Sequence, residues 1–337
     1  MAIQKISIEN FTVFKNIEMD FCDGINVFIG ENGTGKTHLL KMLYAFCETE
    51  QGHDKDEDTY VINNEFTIEL AKCFQDHLKL KLNAPIIFSN NDTLFKYIHF
   101  VMHEELGHSI GQEYNFKKVI PSVFLQAKDM LTHSKGLIAM SKLYASSMPF
   151  DKTILDIVDK ASRWNLDNFT PIMKNILPII EKTIEGKVIQ RDYEFFIVKD
   201  NGQEVSFSYE AEGVKKIGLI WQLLANGSIN KDTILFWDEP EANINPKLIP
   251  TLIDIILELA RNGVQIFLAT HEYNIIKYLS MKKESKDNVS FLSLYKTIDG
   301  VSCEQQDDYD LLDNNVIVDA EIKLHKDEVK KVLGNED

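Results

Sequence analysis

The sequence predicts an α/β fold, doubly wound around a parallel β-sheet, and three observations carry that expectation. A near-continuous apolar run, Ile25, Val27, Phe28 and Ile29, ends at Gly30 and gives way to a helical period through Leu39, Leu40, Met42, Leu43 and Phe46. Beyond residue 232, short apolar runs alternate with helical periods, as repeated βα units require. The runs that end at Gly30, Asp238 and Thr270 also finish on glycine or on polar residues, so the chemistry gathers where strands end. Continuous apolar runs, as opposed to alternating ones, belong to strands covered on both faces.

In chain order, residues 2–30 read as strands. Ile3, Ile6 and Ile8 space the first, Ile17, Met19 and Phe21 alternate in the second, and the run to Gly30 forms the third. Residues 48–58 hold six acids and one lysine and read as a solvated surface loop. Residues 60–118 mix helical and strand signals. Residues 119–125 read as a strand interrupted by Pro121, and helices follow over 151–164 and 171–185. Short strands return at 188–190, 193–198 and 205–207, with Asn201-Gly202 as a hairpin turn. Val214, Ile217, Trp221 and Leu224 mark a helix. Strand 233–237, helix 247–261, strand 264–269, helix 272–279 and strand 289–294 complete the alternation, and the period Val318, Ile322, Val329, Val332 predicts a polar terminal helix. The expected division is a first part of the core over residues 1–126, a helical insertion lobe over 127–185, and the rest of the core with the terminal helix over 186–337.

At 337 residues the chain can build a sizeable core, and its 44% hydrophobic and 26% charged residues exclude disordered and fibrous classes. The net charge of −16 repels phosphate backbones and anionic membranes, so nucleic-acid contact, though possible, is not indicated by charge. Cys22, Cys47, Cys73 and Cys303 lie far apart without a CxxC pair, which fits a reducing, cytoplasmic setting. No apolar run approaches the length of a membrane span.

The sharpest signal is Gly30-Glu31-Asn32-Gly33-Thr34-Gly35-Lys36-Thr37, an ungapped G-x-x-x-x-G-K-[ST] between a strand and a helix. Glycines let main-chain N–H groups turn inward around phosphates, Lys36 supplies a cation to the β/γ oxygens, and Thr37 offers a hydroxyl to Mg²⁺. The helix that begins there adds its positive end, and residues Gly30 to His38 are expected to bind the nucleotide. Such a match arises by chance in a chain of this length on the order of 1% of the time. Two hundred residues later, an apolar strand delivers Asp238 and Glu239 at its end. One carboxylate there can hold the Mg²⁺ carried by Thr37 and the next can polarise the attacking water, roles expected of Asp238 and Glu239 in that order. A second buried strand ends at Thr270-His271, where His271 could sense the terminal phosphate.

Together the opening KISIENFTVFKNIEMDF, the loop GENGTGKT, the stretch WDEPEANINP and the terminal LATH resemble the ABC-type ATPase heads of the SMC and RecF-like group, and most closely the small bacterial AAA-labelled ATPases of defence and toxin–antitoxin loci. The resemblance covers most of the chain up to His271. It implies a P-loop NTPase, an ABC-ATPase-like head with N-terminal antiparallel strands and a helical insertion, that hydrolyses ATP with Mg²⁺. It implies a homodimer or higher homo-oligomer closed by ATP, in which a serine-glycine motif of one head meets the nucleotide of the other. Gly213 fits that motif, but Ala211 stands where the serine is expected, leaving Ser208 as a substitute donor. The resemblance also offers Gln126 as a Mg²⁺ and water contact, with Lys128 competing, and Asn243 and Asn245 as residues connecting the two sites or, alternatively, as turn formers before Pro246. It implies the ATPase subunit of an antiviral defence or toxin–antitoxin system controlling a separate nuclease or toxin. The alternatives are a RecF-like clamp on DNA and a transporter motor domain.

Other signals are weaker. His99, His103 and His108 with Glu104 and Glu105 miss the H-E-x-x-H spacing and read as an amphipathic segment. Phe11 and Phe14 could stack on adenine, with core packing the better reading for at least one. Lys117-Lys118 and Lys282-Lys283 read as solvated basic pairs.

Overall fold

Thirteen strands and eight α-helices, with a further helical stretch at 69–73, follow one another among the described residues of the computed structural model, which are 2–48, 69–74, 85–90, 96–99, 120–143 and 150–333. They run β1 (Ile3–Phe11), β2 (Phe14–Asp20), β3 (Ile25–Gly30), α1 (Lys36–Glu48), β4 (Pro85–Asn90), β5 (Lys96–His99), β6 (Ser122–Leu125), α2 (Ser134–Leu143), α3 (Lys152–Ala161) and α4 (Pro171–Ile184). Then come β7 (Gly186–Arg191), β8 (Glu194–Lys199), β9 (Glu204–Ser206), α5 (Glu212–Ala225), β10 (Ile234–Asp238), α6 (Ile249–Arg261), β11 (Gln265–Thr270), α7 (Tyr273–Lys282), β12 (Val289–Thr297), β13 (Gly300–Gln306) and α8 (Val316–Leu333). Most of the acidic run at 48–58, the segment around His103 and His108, and Lys117-Lys118 lie outside the described residues.

The central sheet has the order β13-β12-β3-β11-β10-β6, parallel except for β13. Side-chain alternation along its strands feeds two cores. Ile25, Val27, Ile29, Leu235, Trp237, Ile266 and Leu268 pack with α3 to α6. Phe28, Phe124, Ile234, Phe236, Phe267 and Ala269 pack with α1 and with β1 and β2. On the α1 side the phenylalanines form a ladder across four strands: Phe124 on Phe236, Phe236 on Phe267, and Phe267 on Phe28, with centroids 5.3–6.4 Å apart and rings within 22° of parallel. Both faces are thus covered, as the continuous apolar runs predict. The expected α/β class with antiparallel N-terminal strands is the fold observed: β1 pairs antiparallel with β2 and β4.

Residues 127–185 supply α2, α3 and α4, whose Leu137, Ile157, Ile172, Ile176 and Ile180 share one core with α5 and α6. Asp151 caps α3 by accepting from Thr153 N, and Thr170 caps α4 with Pro171 at its first position. The sheet β7-β8-β9 follows. Several boundaries differ from the sequence reading by a few residues, and one strand was missed. The strand before Gln126 begins only at Ser122, after Pro121, because proline cannot donate to a ladder. Hairpin strand β13 escaped notice because its polar residues Ser302, Glu304, Gln305 and Gln306 line an edge. In α8 only the first turns touch the body: Ile317 is buried and Val318 half-buried, whereas residues 322–333 are all exposed. Among the described residues no helix is long and apolar enough to cross a membrane, and the four cysteines are free thiols.

Candidate functional site

The carboxyl ends of β3, β10 and β11 lie side by side, where ligands bind in open α/β sheets. From β3 the chain turns through residues 30–35 into α1. Gly30, Gly33 and Gly35 all have positive φ, +152°, +80° and +89°, which L side chains adopt rarely. A Cβ on Gly30 would sit 2.3 Å from the Leu294 carbonyl oxygen, and one on Gly35 would sit 2.7 Å from Phe14 Cζ and from Val13 Cγ2. The loop is therefore folded into space that only main chain can fill. Thr34, buried, donates its hydroxyl to Glu31 O at 2.9 Å. Lys36 Nζ donates to the carbonyls of Gly30 (2.6 Å) and Glu31 (2.9 Å) and closes the loop on itself. Burial pulls its pKa down, opposed by Asp238, Glu239, Glu241 and Glu31.

Thr37, the second residue of α1, donates its hydroxyl to Asp238, 2.8 and 3.1 Å from the two carboxylate oxygens. This contact joins residues 201 positions apart. Burial raises the Asp238 pKa, with the Thr37 hydrogen bond opposing. Glu239 follows with a left-handed backbone, φ +47°, and its carboxylate lies 3.4 Å from His271 Nδ1 at the end of β11. Both side chains are partly exposed, 37% and 46%. The sequence-derived Lys36, Thr37, Asp238, Glu239 and His271 are thus drawn to one end of the sheet.

Other expected residues sit less directly. The His38 ring packs edge-on against Phe74 with centroids 5.2 Å apart, and burial lowers its pKa. Its Nδ1 is buried without a hydrogen-bond partner among the described residues. Gln126 follows β6, whose Leu125 pairs with Trp237, so the register sets Gln126 beside Asp238. Its amide donates to Thr153 Oγ1, which in turn donates to Asp151, whose other oxygen takes Lys41 of α1 at 2.7 Å. Lys128 lines a small cleft with Gln126, Asp129 and Lys216. Gly213, in the first turn of α5, is buried against Ile244 and Leu248, while Ala211 at the N-cap makes no side-chain cap. Ser208 is exposed, and its N–H is taken by Ser206 Oγ at 3.2 Å. Asn243 has φ +60°. Asn245 accepts from Lys247 N and caps the turn before α6, the turn-forming alternative. Phe11 and Phe14 are 0% and 1% exposed; neither offers a free face to adenine, because both are committed to the core beneath the loop. Lys282 is paired with Asp254 at 2.7 Å, and Lys283 donates to Asp307 O, so this basic pair is engaged within the chain.

Sequence reasoning missed four charged residues. Lys296 of β12 donates to Asn32 O at 3.2 Å and lies 3.8 Å from Glu31, bringing a second cation to the loop. Glu241, 8% exposed, accepts from Thr270 Oγ1 (2.8 Å) and from His271 N (3.3 Å), anchoring the strand end that carries His271. Burial raises its pKa. Lys215 and Lys216 of α5 are buried beside the site. Only Glu241 had a visible signal, being the third acid in Asp238-Glu239-Pro240-Glu241.

A metal ion is expected to take Thr37 Oγ1 and an Asp238 oxygen, hard oxygen donors of the kind Mg²⁺ prefers alongside water and phosphate. Among the described residues no cluster of three or more histidine, cysteine or acidic side chains forms a closed cage. The donor set thus suits an ion that keeps most of its ligands from substrate and solvent.

Comparison with known proteins agrees with this architecture. The profile of the family described as "AAA domain, putative AbiEii toxin, Type IV TA system" matches residues 25–277, from β3 into α7. The chain is 34% identical over 79 residues to the DNA replication and repair protein RecF of Cytophaga hutchinsonii, covering 23% of this chain and 21% of that protein. It is 31% identical over 232 residues to RecF of Clostridium beijerinckii, covering 62% of this chain and 60% of that protein. The match thus spans only part of the length of these curated relatives. In shape it resembles the SMC head domain from Thermotoga maritima, with a TM-score of 0.51 at 11% identity over 91% of this chain and 99% of that one. With its phosphate loop, parallel sheet and antiparallel N-terminal strands, the chain belongs to the family described as "AAA domain, putative AbiEii toxin, Type IV TA system" and has a P-loop fold of the SMC-head kind.

Proposed function

We propose that the protein hydrolyses ATP and uses the cycle as a dimer switch, the single most telling observation being the Thr37–Asp238 contact at 2.8 Å between the phosphate loop and the distal acid. Main-chain N–H groups of residues 33–37 bind the triphosphate, and Lys36 leaves the loop carbonyls for the β- and γ-phosphate oxygens. Bound Mg²⁺, held through Thr37 and Asp238, would neutralise charge on the same oxygens. Glu239 takes the proton of the attacking water, and His271, 3.4 Å from it, donates a hydrogen bond to the γ-phosphate or the water. Water adds to the γ-phosphorus as the bond to the β–γ bridging oxygen breaks, yielding ADP and phosphate. Gln126 is a further water or metal contact, oriented by Thr153. The N-terminus of α5 at Gly213 meets the nucleotide of a second copy with main-chain N–H groups, since Ala211 brings no hydroxyl.

Biologically, the reading is an ATPase subunit that controls a separate nuclease or toxin in a bacterial defence or toxin–antitoxin system, supported by the family description and the acidic chain. A second reading, an ATP-closed clamp on DNA, is favoured by the similarity to the RecF proteins. The division into residues 1–126, a helical insertion lobe at 127–185 and residues 186–337 is part of the proposal.

Purified protein should release phosphate from ATP only with Mg²⁺. Lys36→Ala should lose nucleotide binding, and Glu239→Gln should bind ATP, trap a dimer and lose about 10²-fold or more in turnover. Undiminished hydrolysis by Glu239→Gln would remove that residue from its role. Native mass spectrometry of the endogenous complex with and without ATP separates the two biological readings. A bound effector without nucleic acid supports the first, and ATP-dependent DNA retention that falls steeply with salt supports the second.

A further inference from the structure

Helix α5 carries two consecutive lysines that are each only 5% exposed. Ammonium groups are rarely buried unless paired or fully hydrogen-bonded, so each calls for an account. Lys215 has an evident one: its Nζ lies 2.7 Å from Glu212, 3.8 Å from Asp129 and 3.3 Å from Thr132 Oγ1. Lys216 reaches main chain. Its Nζ donates to Ala242 O at 2.5 Å and to Glu239 O at 3.3 Å.

Those two carbonyls bracket the turn that follows β10. Within it, Ala242 N donates to Glu239 O at 3.0 Å, and Ile244 N to Glu241 O at 3.0 Å. The turn holds Glu239 at φ +47° and Asn243 at φ +60°, conformations that non-glycine residues keep only where the surroundings enforce them. On its other side Glu239 is fixed by its N–H, which donates to Ala269 O of β11 at 2.8 Å. The peptide groups flanking Glu239 are therefore held at one end by the sheet and at the other by α5. Glu241, in the same turn, keeps one buried carboxylate oxygen without a hydrogen-bond partner among the described residues. Its charge is among those that face Lys216.

We propose that Lys216 is a positioning residue: it ties α5 to the Glu239–Ala242 turn, so that the helix expected to face a second copy also sets the direction in which Glu239 is presented. This inference rests on the reading of Glu239 as the water-activating carboxylate. Lys216 lies three residues after Gly213, so a displacement of the α5 amino end is passed through one turn of helix and one side chain to the carboxylate. Lys215, anchored at Asp129, links the same turn of α5 to the segment that follows Gln126.

The test is Lys216→Met, which keeps the aliphatic stem and removes the donors. Turnover should fall about 10- to 100-fold, the loss typical of a misplacement near 1 Å. The affinity for a fluorescent ATP analogue with Mg²⁺ should stay near wild type, because Lys216 touches neither the phosphate loop nor Asp238. Lys216→Arg, which keeps the cation, should recover most of the turnover. In a Glu239→Gln background, Lys216→Met should cost almost nothing more, since the group it positions is already disabled. A role limited to stability would lower binding together with turnover and would persist in that background. If Lys216→Met does not fold, Lys216→Gln retains a donor for Ala242 O, and its turnover should lie below wild type at unchanged affinity. Wild-type turnover in either neutral variant, or an equal loss with and without Glu239, overturns the inference while leaving the site intact. A wild-type protein without Mg²⁺-dependent turnover overturns the reading of the site and this inference with it.

Discussion

Gly35→Ala probes the phosphate loop by geometry alone, since it adds one methyl group and no charge. Two penalties can be worked from the structure. At φ +89° an L side chain meets its own carbonyl, which costs roughly 1–2 kcal/mol. The new Cβ would also stand 2.7 Å from Phe14 Cζ and Val13 Cγ2 and 3.0 Å from Phe14 Cε2. Phe14 is 1% exposed, so its ring cannot swing into solvent, and overpacking of this kind costs about 1–3 kcal/mol. The sum is about 2–5 kcal/mol, readable by urea denaturation. The terms separate in a double-mutant cycle. Phe14→Leu withdraws the far edge of the ring, so Gly35→Ala should cost about 1–2 kcal/mol less in that background, while the backbone term remains. Lys36 and Thr37 follow directly, so ATP affinity should fall in Gly35→Ala even at urea concentrations where the protein is folded. A Gly35→Ala protein within about 0.5 kcal/mol of wild type, or a strictly additive cycle, would refute the claim that the β1–β2 turn presses on this loop.

Two further substitutions test the scaffold. Lys160, 11% exposed at its side chain, donates to Glu48 (2.7 Å), Ser122 O (2.8 Å) and Tyr44 OH (3.1 Å) beneath α1. Lys160→Met should therefore destabilise by about 1–3 kcal/mol in denaturant titrations, and adding Glu48→Gln should recover part of it, because Glu48 is left with Ser122 Oγ and only the longer 3.5 Å contact to Lys152. Arg261 holds Asp287 through Nε (2.9 Å) and Nη2 (2.7 Å), and this pairing lowers the Asp287 pKa. A carboxylate whose folded pKa is depressed contributes stability that is present above its unfolded value near 4 and is lost as pH falls through the folded value. Arg261→Met should thus cost about 1–3 kcal/mol at pH 7, and the gap from wild type should close progressively below about pH 4 in thermal or urea melts.

The parts of the site legible in the sequence were those in which main-chain geometry leaves a composition mark. Three glycines in six residues record three positive φ angles at Gly30, Gly33 and Gly35, and the apolar runs before Asp238 and His271 record strands buried on both faces. What escaped was set by tertiary approach. Lys216 sits on the apolar period of α5 but looks from sequence like a solvated neighbour of Lys215, because nothing local says that two carbonyls from residues 239 and 242 will arrive at its end. Lys296 was invisible for the same reason, since only the parallel pairing of β12 with β3 brings it to Asn32. Phe11 and Phe14 were ambiguous because an aromatic near a phosphate loop can be ligand or core, and only the hairpin folding over Gly35 decides between them.

The order of the two acids follows from the strand period. Ile234 and Phe236 face α1, whereas Leu235 and Trp237 face α3 to α6. Two residues on from Phe236, Asp238 must also face α1, and there it meets Thr37 in the first helical turn. Continued as a strand, the chain would send Glu239 to the opposite face, away from the loop. The left-handed turn at Glu239 breaks the alternation and carries its carboxylate to His271 instead. Two adjacent carboxylates thereby reach two different stations at the same end of the sheet, one by obeying the period and the other by leaving it. On the proposed role of Glu239, the backbone conformation of residue 239 is as much a part of the site as its side chain, because the φ of +47° there decides which neighbour its carboxylate meets.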